Sequence, residues 1–360
     1  MSLKQDWQLS PGLTYLNHGS YGATPRVVLE EQSRLRQRLE QNPMQFLSPE
    51  RDLERELDQV RAVLAGLVGA DASDIAFVRN ATDGVNAVRH FAGKHGAAVR
   101  VAKVPFPLAG PEQVLEAVEA ALTPRSRLLL VDHVTSPTGL VFPVAALVAL
   151  AHARGVRVLV DGAHAPGMLP LDLAQLGADY YTGNHHKWLC APKASGFLHV
   201  QPCWQHEVRP TVISHAANRP RPGRSRFLAE FDWTGTFDPT PLLALPAAIA
   251  FLGSLHPGGI QALLRANHDL AVEARSRVCD ALQVEPPAPP TMLGSLAAVP
   301  LPGGLGGAHL QARLSDRFAI EVPVVEWAAT RSWLVRLSLQ AYNTLADVER
   351  LIAALRQPLA

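Results

Sequence analysis

The sequence predicts an α/β protein with a large domain built on a mainly parallel sheet and a smaller α+β C-terminal domain. Short, apolar, β-rich segments alternate with helical ones, namely IAFV, VRVAKV, RLLLVDHV, VRVLVDGA and ADYYTGN. Strands that are apolar on both faces and separated by helices are typical of a parallel sheet covered on both sides. Beyond residue 240 the pattern changes to helices, the turn-rich EPPAPP and PGGLGG, and one alternating strand, WLVRLSLQ. Because 360 residues exceed what one core usually serves, we expect an N-terminal arm over 1–22, a large domain over 23–240 and a small domain over 241–360.

Capping residues mark the starts of several predicted helices. Thr24 precedes Pro25 and Ser48 precedes Pro49, and a side-chain oxygen followed by proline predicts a helix N-terminus in each case. Thr344 is expected to cap the closing helix, TLADVERLIAAL.

Composition excludes several classes of function. The formal net charge is +1 and no block of Lys or Arg occurs, which argues against a nucleic-acid or anionic-membrane surface. The N-terminus lacks the apolar segment of a signal peptide, and no apolar run approaches the ~18 residues of a spanning helix. Three cysteines without metal-ligand spacing favour a reduced, cytoplasmic protein with no metal site.

Lysine is rare in this chain, which makes its placement informative. Only five of the 33 basic residues are Lys, and one of them, Lys187, follows the strand-like ADYYTGN within GNHHKWLCAP. Arg stays charged, whereas a partly buried Lys can lose its proton and attack a carbonyl carbon. Lys193, among Pro192 and Ala194, is interpreted as structural and serves as the comparison.

An acid at one strand end and a lysine beyond another predict a particular cofactor. Asp161 ends the strand VRVLVDGA, and in such sheets ligands bind outside the carboxyl ends of the strands. A Lys that condenses with an aldehyde and an Asp that keeps a pyridine nitrogen protonated fit pyridoxal phosphate. The segment VRNATDG, where Ala81 and Thr82 leave a strand and open a helix, predicts the phosphate site.

Seven motifs, spread over residues 15 to 343, carry a family resemblance. They are YLNHGSYGATP, VRNATDGVNAV, DHVTSPTGLVFPV, VLVDGAHAPG, YYTGNHHKWLCAPKASGFLHV, EFDWTGTFDPTP and VRLSLQAYN. With them the chain resembles the class V aminotransferase family of fold-type-I pyridoxal-phosphate enzymes, and within it proteins of the isopenicillin N epimerase type. The resemblance implies the aspartate aminotransferase-like fold and an enzyme acting at Cα or Cβ of an amino acid.

The resemblance also implies roles around the cofactor. Lys187 would be the Schiff-base lysine and the base at Cα, Asp161 would pair with the pyridine nitrogen, and His164 would lie near the ring hydroxyl. The phosphate would be held by a set of residues from several segments: Ala81, Thr82, Asn184 and His186. Thr236 of WTGT would reach the phosphate of the partner subunit, because these sites form at the interface of a homodimer.

For the substrate, the resemblance implies that Arg336 takes the α-carboxylate, a bidentate task suited to Arg. Asn17 and His18 would line the mouth of the substrate site.

The chain departs from the family pattern after DGVNAV. The stretch from Val85 to Val99 holds one helix and a loop, too little for a further crossover and parallel strand, since a crossover takes about a dozen residues. We infer a shortening near Arg89 that removes the aromatic or His residue stacking on the cofactor ring. His90, Phe91 and His95 are the local substitutes.

Several activities stay open at this point. The same residues serve epimerisation, transamination or β-elimination, so a C–S lyase or desulfurase is an alternative within the family. Cys190, three residues past Lys187, is interpreted as packing rather than as a persulfide-forming thiol. The alternative from a different functional class is a pseudoenzyme. The shortening would have weakened cofactor binding, and the fold would serve as a dimeric binding protein.

Overall fold

The N-terminal part is a short strand followed by four helices in a computed structural model that describes residues 3–93, 98–327 and 330–357. These elements are β1 (Thr14–Tyr15), α1 (His18–Tyr21), α2 (Arg26–Gln41), α3 (Pro43–Leu47) and α4 (Glu54–Val68). Helix α2 starts one residue later than expected, with Pro25 rather than Thr24 in the capping position. The Thr24 hydroxyl instead donates to the carbonyl of Ala191, 3.2 Å away. Thr24, the expected cap, therefore connects the start of α2 to the loop that carries Lys187.

The large domain is centred on a five-stranded sheet. Its elements, in chain order, are β2 (Ile75–Val78), α5 (Ala81–Gly93), α6 (Glu112–Ala121), β3 (Leu128–Asp132), α7 (Val144–His152), β4 (Arg157–Gly162), α8 (Leu173–Leu176), β5 (Tyr180–Asn184) and β6 (Gly196–Val200). The strand order is β2-β6-β5-β4-β3. β3, β4 and β5 pair in parallel, and β6 is antiparallel to both of its neighbours. Since β2 then runs with β5, four strands share one direction, as the sequence predicts.

One strand assignment from sequence is wrong, and one strand was missed. The segment VRVAKV forms no strand: residues 98–105 are irregular, and Val99 and Val101 are 84% and 74% exposed. An alternating segment becomes a strand only if a neighbour pairs with it, and none lies alongside in the described chain. The strand β6, by contrast, was not separated from the motif containing Lys187.

The shortening inferred after Val88 has a structural counterpart. In the described residues between α5 and α6 no further strand adds to the sheet, so β3 is the edge strand. Leu130 in β3 is consequently 45% exposed. Of the proposed substitutes for the stacking residue, His90 is exposed on α5, whereas His95 and the Phe91 side chain lie outside the described part.

The C-terminal part contains further helices, short strands and a second hydrophobic core. Its elements are α9 (Arg226–Asp232), α10 (Thr240–Leu243), α11 (Leu245–Ser254), α12 (Gly259–Leu282), β7 (Leu296–Pro300), α13 (Ala308–Phe318), β8 (Ile320–Glu321), β9 (Val324–Trp327), β10 (Ser332–Ser338) and α14 (Leu345–Leu355). An antiparallel sheet has the order β7-β10-β9, and β1 pairs in parallel with β8. Helix α12 contributes to both cores. Leu263, like α11, packs into the first core, and Ala271 is the first buried residue of α12 in the second core. Thr344 caps α14 in a reciprocal capping box with Asp347, as expected.

Among the described helices, none alone is long and apolar enough to cross a membrane. One pair, Thr240–Ser254 with Gly259–Leu282, passes on length and composition together but is bent by 69°.

A buried ion pair fastens α4 and α9 to the sheet. Arg61 is 1% exposed; its Nε donates to the carbonyl of Ile75 at 2.8 Å, and its Nη2 lies 2.6 Å from Asp232. Asp232 is also 1% exposed and pairs with Arg224. Removing one partner of such a pair leaves the other charge buried without compensation.

We expect Asp232→Asn to lower the free energy of unfolding by about 3–5 kcal/mol, because Arg61 and Arg224 would both lose their buried carboxylate. Arg61 would keep only the half-exposed Asp58. The matched control is Asp238→Asn, since Asp238 pairs with Arg36 at 3.1 Å but both side chains are largely exposed. The control should change the free energy of unfolding by about 0–1 kcal/mol. Urea unfolding of both variants measures the difference, and equal losses would contradict the structural role of the buried pair.

Candidate active site

The strand directions bring the predicted site residues to one edge of the large sheet. Asp161 near the end of β4 is in register with Asp132 of β3 on one side and with Thr182 of β5 on the other. Lys187 follows β5 by three residues. Since the three strands are parallel, their carboxyl ends share one edge, where ligands bind in such sheets.

Lys187 is partly buried, and its surroundings favour the unprotonated amine. Burial and the positive charge of Arg336 lower its pKa to about 8, although Asp161 and Asp132 act in the opposite direction. Its Nζ lies 3.1 Å from Nε2 of His164. An amine with this pKa is far more nucleophilic at neutral pH than an exposed lysine.

His164 is enclosed between Lys187 and the next residue along the chain. It is 2% exposed, and its Nδ1 accepts from the indole Nε1–H of Trp188 at 3.3 Å. Burial, with the charges of Lys187 and Arg336, lowers the pKa of His164 well below its ordinary value. The imidazole is therefore neutral at physiological pH.

Two carboxylates lie near the lysine without pairing with it. The Asp161 Oδ1 accepts from the backbone N–H of Ala163 at 2.9 Å, and burial raises the pKa of Asp161 despite this bond and the charge of Lys187. Asp132 is accessible to solvent, yet partial burial and the charge of Asp161 raise its pKa to about 6. Neither carboxylate is within ion-pairing distance of Lys187. Asp132 was missed from sequence, and its only signal was its position at the end of a strand.

At the start of α5 the structure uses most of the expected phosphate ligands internally. Asn80 caps the helix, its Oδ1 accepting from the N–H of Asp83 at 3.0 Å. The N–H of Ala81 donates to Oδ1 of Asn184 at 2.9 Å, and the Asn184 amide donates to the carbonyl of Ala163 at 3.3 Å. Ala81 and Asn184 therefore fasten α5 to the strand ends. Thr82 is exposed in the first turn of the same helix.

His186 is oriented by a backbone contact. Its Nδ1 lies 3.2 Å from the carbonyl of Ser195, which can only accept, so Nδ1 carries a hydrogen. The other ring nitrogen, Nε2, is left available, and burial lowers the pKa of the ring. His186 thus presents one fixed nitrogen on the same loop as Lys187.

Arg336 of β10 is a buried cation without a carboxylate among the described residues. It is 5% exposed; Nη1 donates to the carbonyl of Ser136 at 2.6 Å and Nη2 to the hydroxyl of Ser20 at 2.9 Å. Its Nε is buried and has no partner in the described part of the chain. Burial lowers the pKa of the guanidinium to about 10.

The two residues expected at the substrate mouth have different positions. Asn17 lies beside Arg336, with its Oδ1 3.5 Å from Nη2. His18 is fully buried; Nε2 lies 3.0 Å from the carbonyl of Lys187 and Nδ1 lies 2.9 Å from the hydroxyl of Tyr342. His18 supports the backbone of Lys187 from behind. Its polar side chain satisfies a buried carbonyl, a role the sequence does not distinguish from ligand binding.

Thr236 lies apart from these residues within one chain. It is exposed and lines a separate pocket of about 590 Å³, formed by α3, the turn after it and residues between 215 and 233. None of the other predicted site residues lines this pocket.

Neither Cys190 nor Cys203 is suited to nucleophilic chemistry at the site. Cys190 is fully buried against His18, and burial raises the pKa of its thiol to about 12. Cys203 is exposed, but it follows β6, which is antiparallel to β5 and ends at the opposite edge of the sheet. The interpretation of Cys190 as packing agrees with this geometry.

Comparisons with known proteins identify the family of the chain. A family model described as aminotransferase class V matches residues 90–351. The isopenicillin N epimerase of Amycolatopsis lactamdurans is 38% identical over 394 aligned positions, covering 98% of this chain and 97% of that protein. The putative L-cysteine desulfhydrase 1 of Oryza sativa subsp. japonica is 30% identical, with 97% and 84% covered. Since 394 positions exceed the 360 residues of this chain, the epimerase has residues without a counterpart here, as a shortened chain requires.

Solved structures agree with the fold. The apo cysteine desulfurase of Thermococcus onnurineus NA1 is similar with a TM-score of 0.75 at 19% identity, covering 98% of this chain and 96% of that one. The cystine C–S lyase C-DES, in complex with its reaction product cysteine persulfide, gives a TM-score of 0.78 at 22% identity, covering 96% and 97%. The fold-type-I architecture expected from sequence is thereby confirmed. The chain belongs to the aminotransferase class V family, as an isopenicillin N epimerase-like, pyridoxal-phosphate-dependent enzyme.

Proposed function

We propose that this enzyme acts at Cα of an amino acid whose carboxylate binds Arg336, with Lys187 as the reacting amine. The observation that carries the proposal is the buried Arg336 guanidinium, which has no carboxylate partner among the described residues and lies near Lys187. A buried cation without an anion is costly to folding. A substrate carboxylate in the cleft would supply that anion with a bidentate contact, for which the unpaired Nε is available.

The residues of the cleft fit pyridoxal phosphate by their chemistry. Lys187 offers an amine with a lowered pKa, and Asp161 offers a partly buried carboxylate without an ion-pairing partner. When bound, pyridoxal phosphate supplies an aldehyde and a ring that accepts electrons from Cα of the substrate. Asp161 would hold a proton on the ring nitrogen. Lys187 would remove and return the proton at Cα, a task suited to a group whose pKa lies near the working pH.

The phosphate would be held at the start of α5. Thr82 lies in the exposed first turn, where the helix dipole favours an anion. The N–H groups of Ala81 and Asp83 beside it are already bonded to Asn184 and Asn80. The available Nε2 of His186 would add a contact from the lysine loop. Ala81 and Asn184 bond each other, so we assign them the role of holding the first turn of α5 at the strand ends.

Epimerisation is the main proposal for the reaction, and a C–S lyase is the second candidate. The first is supported by the 38% identity to an isopenicillin N epimerase and the second by the 30% identity to a putative L-cysteine desulfhydrase. A persulfide-forming desulfurase is disfavoured, because Cys190 is buried and Cys203 lies at the far edge of the sheet. A pseudoenzyme is disfavoured because Lys187, Asp161 and Arg336 remain together although no further described strand pairs with β3.

We also propose a homodimer with shared sites in a reducing, cytoplasmic setting. Thr236 is exposed and away from Lys187 in its own chain, which supports a contact with the phosphate of a partner subunit. The three cysteines are free, and two of them are buried.

Lys187→Ala should abolish the covalent cofactor adduct that borohydride traps, because it removes the lysine that lies beside His164, beyond the carboxyl ends of the parallel strands. Lys193→Ala is the matched control, since Lys193 donates to the carbonyl of Gly22 at 3.2 Å and serves the loop structure. Mass spectrometry of the reduced proteins measures the adduct. A trapped adduct that persists in Lys187→Ala would refute the assignment.

Arg336→Met should weaken amino-acid binding about 10- to 100-fold, corresponding to the ~1.5–3 kcal/mol of a hydrogen bond to a charged group. Spectral titration of the cofactor-loaded protein with candidate amino acids measures the dissociation constant. Arg275→Met is the control, because Arg275 is also buried and donates to the carbonyl of Ala288 at 2.7 Å, outside the cleft. Equal weakening in both variants would point to a general loss of structure instead.

Mixing inactive variants tests the shared site. If Thr236 serves the neighbouring subunit, a mixed dimer of Lys187→Ala and Thr236→Ala chains contains one intact site and one site with both defects. Cofactor retention and activity should then reappear in the mixture, with one intact site in each mixed dimer against two in each wild-type dimer. If Thr236 serves its own chain, every site has one defect and no recovery occurs.

A further inference from the structure

His164 makes two polar contacts through opposite ring nitrogens. Nδ1 faces the indole Nε1–H of Trp188 at 3.3 Å, and Nε2 faces Nζ of Lys187 at 3.1 Å. Trp188 is 0% exposed and His164 is 2% exposed, so water does not compete for either contact. The chain therefore links the indole of one residue to the amine of its neighbour through an imidazole.

The indole decides where the imidazole proton lies. An indole N–H can donate but cannot accept, so Nδ1 of His164 must present its lone pair to Trp188. A neutral imidazole has one N–H, which is then on Nε2. Burial keeps His164 neutral by lowering its pKa well below the ordinary value.

The Nε2–H in turn decides which form of Lys187 fits. An unprotonated amine has a lone pair that accepts from Nε2–H, whereas an ammonium group has three donors and no acceptor. A protonated Lys187 would meet Nε2–H donor to donor. Moving the imidazole proton to Nδ1 would only transfer that conflict to the indole. Protonation of Lys187 therefore always costs one of the two hydrogen bonds.

We propose that Trp188 is a positioning residue that fixes the tautomer of His164, so that its Nε2–H donates to the Lys187 amine and favours the unprotonated form of that amine. The importance of this arrangement rests on the proposed function, in which Lys187 is the reacting amine. The protonation state itself is a property of the protein without cofactor.

Other charged groups surround Lys187, and none depends on Trp188. Burial and Arg336 favour the neutral amine, and Asp161 and Asp132 favour the charged one. His186 on the same loop is held by the carbonyl of Ser195. An effect of the indole N–H on Lys187 can therefore be separated from these charges by a substitution that keeps the ring.

Packing holds the Trp188 indole in place. The ring centroids of His18 and Trp188 are 5.1 Å apart. A Cβ added at Gly19 would lie 3.3 Å from Cζ2 of Trp188. A Cβ at Gly167 would approach the Trp188 carbonyl carbon to 2.5 Å, so the backbone there is enclosed as well. The indole N–H cannot turn away from His164 without moving these neighbours.

The test measures the reactivity of Lys187 against pH in the protein freed of cofactor. Brief labelling with acetic anhydride at a series of pH values, read by mass spectrometry, gives the midpoint for Lys187 and, on the same peptide, for Lys193. Trp188→Phe should raise the Lys187 midpoint by roughly half to one pH unit, the size of one neutral hydrogen bond, and leave Lys193 unchanged. Trp7→Phe is the matched control, because Trp7 is also buried and donates to the carbonyl of Ala23 at 3.2 Å.

Rescue by a conservative variant separates the proton arrangement from simple packing. In His164→Gln the amide oxygen can accept from Trp188 and the amide nitrogen can donate to Lys187, so the midpoint should stay within about 0.3 units of the wild type. In Trp188→Phe combined with His164→Gln the amide is free to rotate, and the midpoint should rise. An unchanged Lys187 midpoint in folded Trp188→Phe would overturn the proposal.

A second measurement applies even if Trp188→Phe does not fold. Nitrogen-15 spectra of histidine-labelled wild-type protein, with the His164 signal assigned by its loss in His164→Gln, show which ring nitrogen is protonated. A proton on Nδ1 would refute the proposal. Failure of the proposed function is seen separately, as absence of a borohydride-trapped adduct on Lys187, because neither measurement here uses the cofactor.

Discussion

The parallel pairing of β3, β4 and β5 is the constraint on which the site depends. It places Asp132, Asp161 and the loop bearing Lys187 at one edge of the sheet, although they are far apart in sequence. Burial at that edge then acts in opposite directions on acid and base, raising the pKa of the aspartates and lowering that of Lys187. Groups that would be permanently charged on the surface become able to exchange protons near neutral pH.

The same burial makes the site costly in stability. Arg336 is desolvated without a carboxylate among the described residues, and its Nε has no partner there. Buried Arg61 is matched by buried Asp232, and buried Arg275 donates to the carbonyl of Ala288. Arg336 differs from both because its buried Nε has no partner among the described residues, and such local instability is common where ligands bind.

Much of the fold and of the candidate site could be predicted from the sequence. The physical reasons also explain which assignments were wrong or missed. The strand-end positions of Asp161 and Lys187 could be predicted because the apolar segments before them mark the strands. The strand VRVAKV was wrong because alternation does not reveal whether a partner strand exists. His18 was assigned to the substrate mouth, yet its nitrogens support Lys187 and Tyr342 from within the core. Asp132 and Trp188 were missed because their significance arises from cross-strand register and ring geometry, which composition and spacing do not contain.

The pairing of the first strand has a consequence for the order of assembly. β1 pairs with β8, and Asn17 bridges to Ser338, so contacts near the start of the chain wait for residues made more than 300 positions later. Contacts of such sequence separation form late in folding, because loop closure must precede them. A chain emerging from the ribosome can complete its five-stranded sheet, and with it Asp161 and Lys187, well before Arg336 exists. A chain truncated before β10 would thus carry the Lys187 amine without the Arg336 cation, and under the proposed function substrate recognition would be the last property to form.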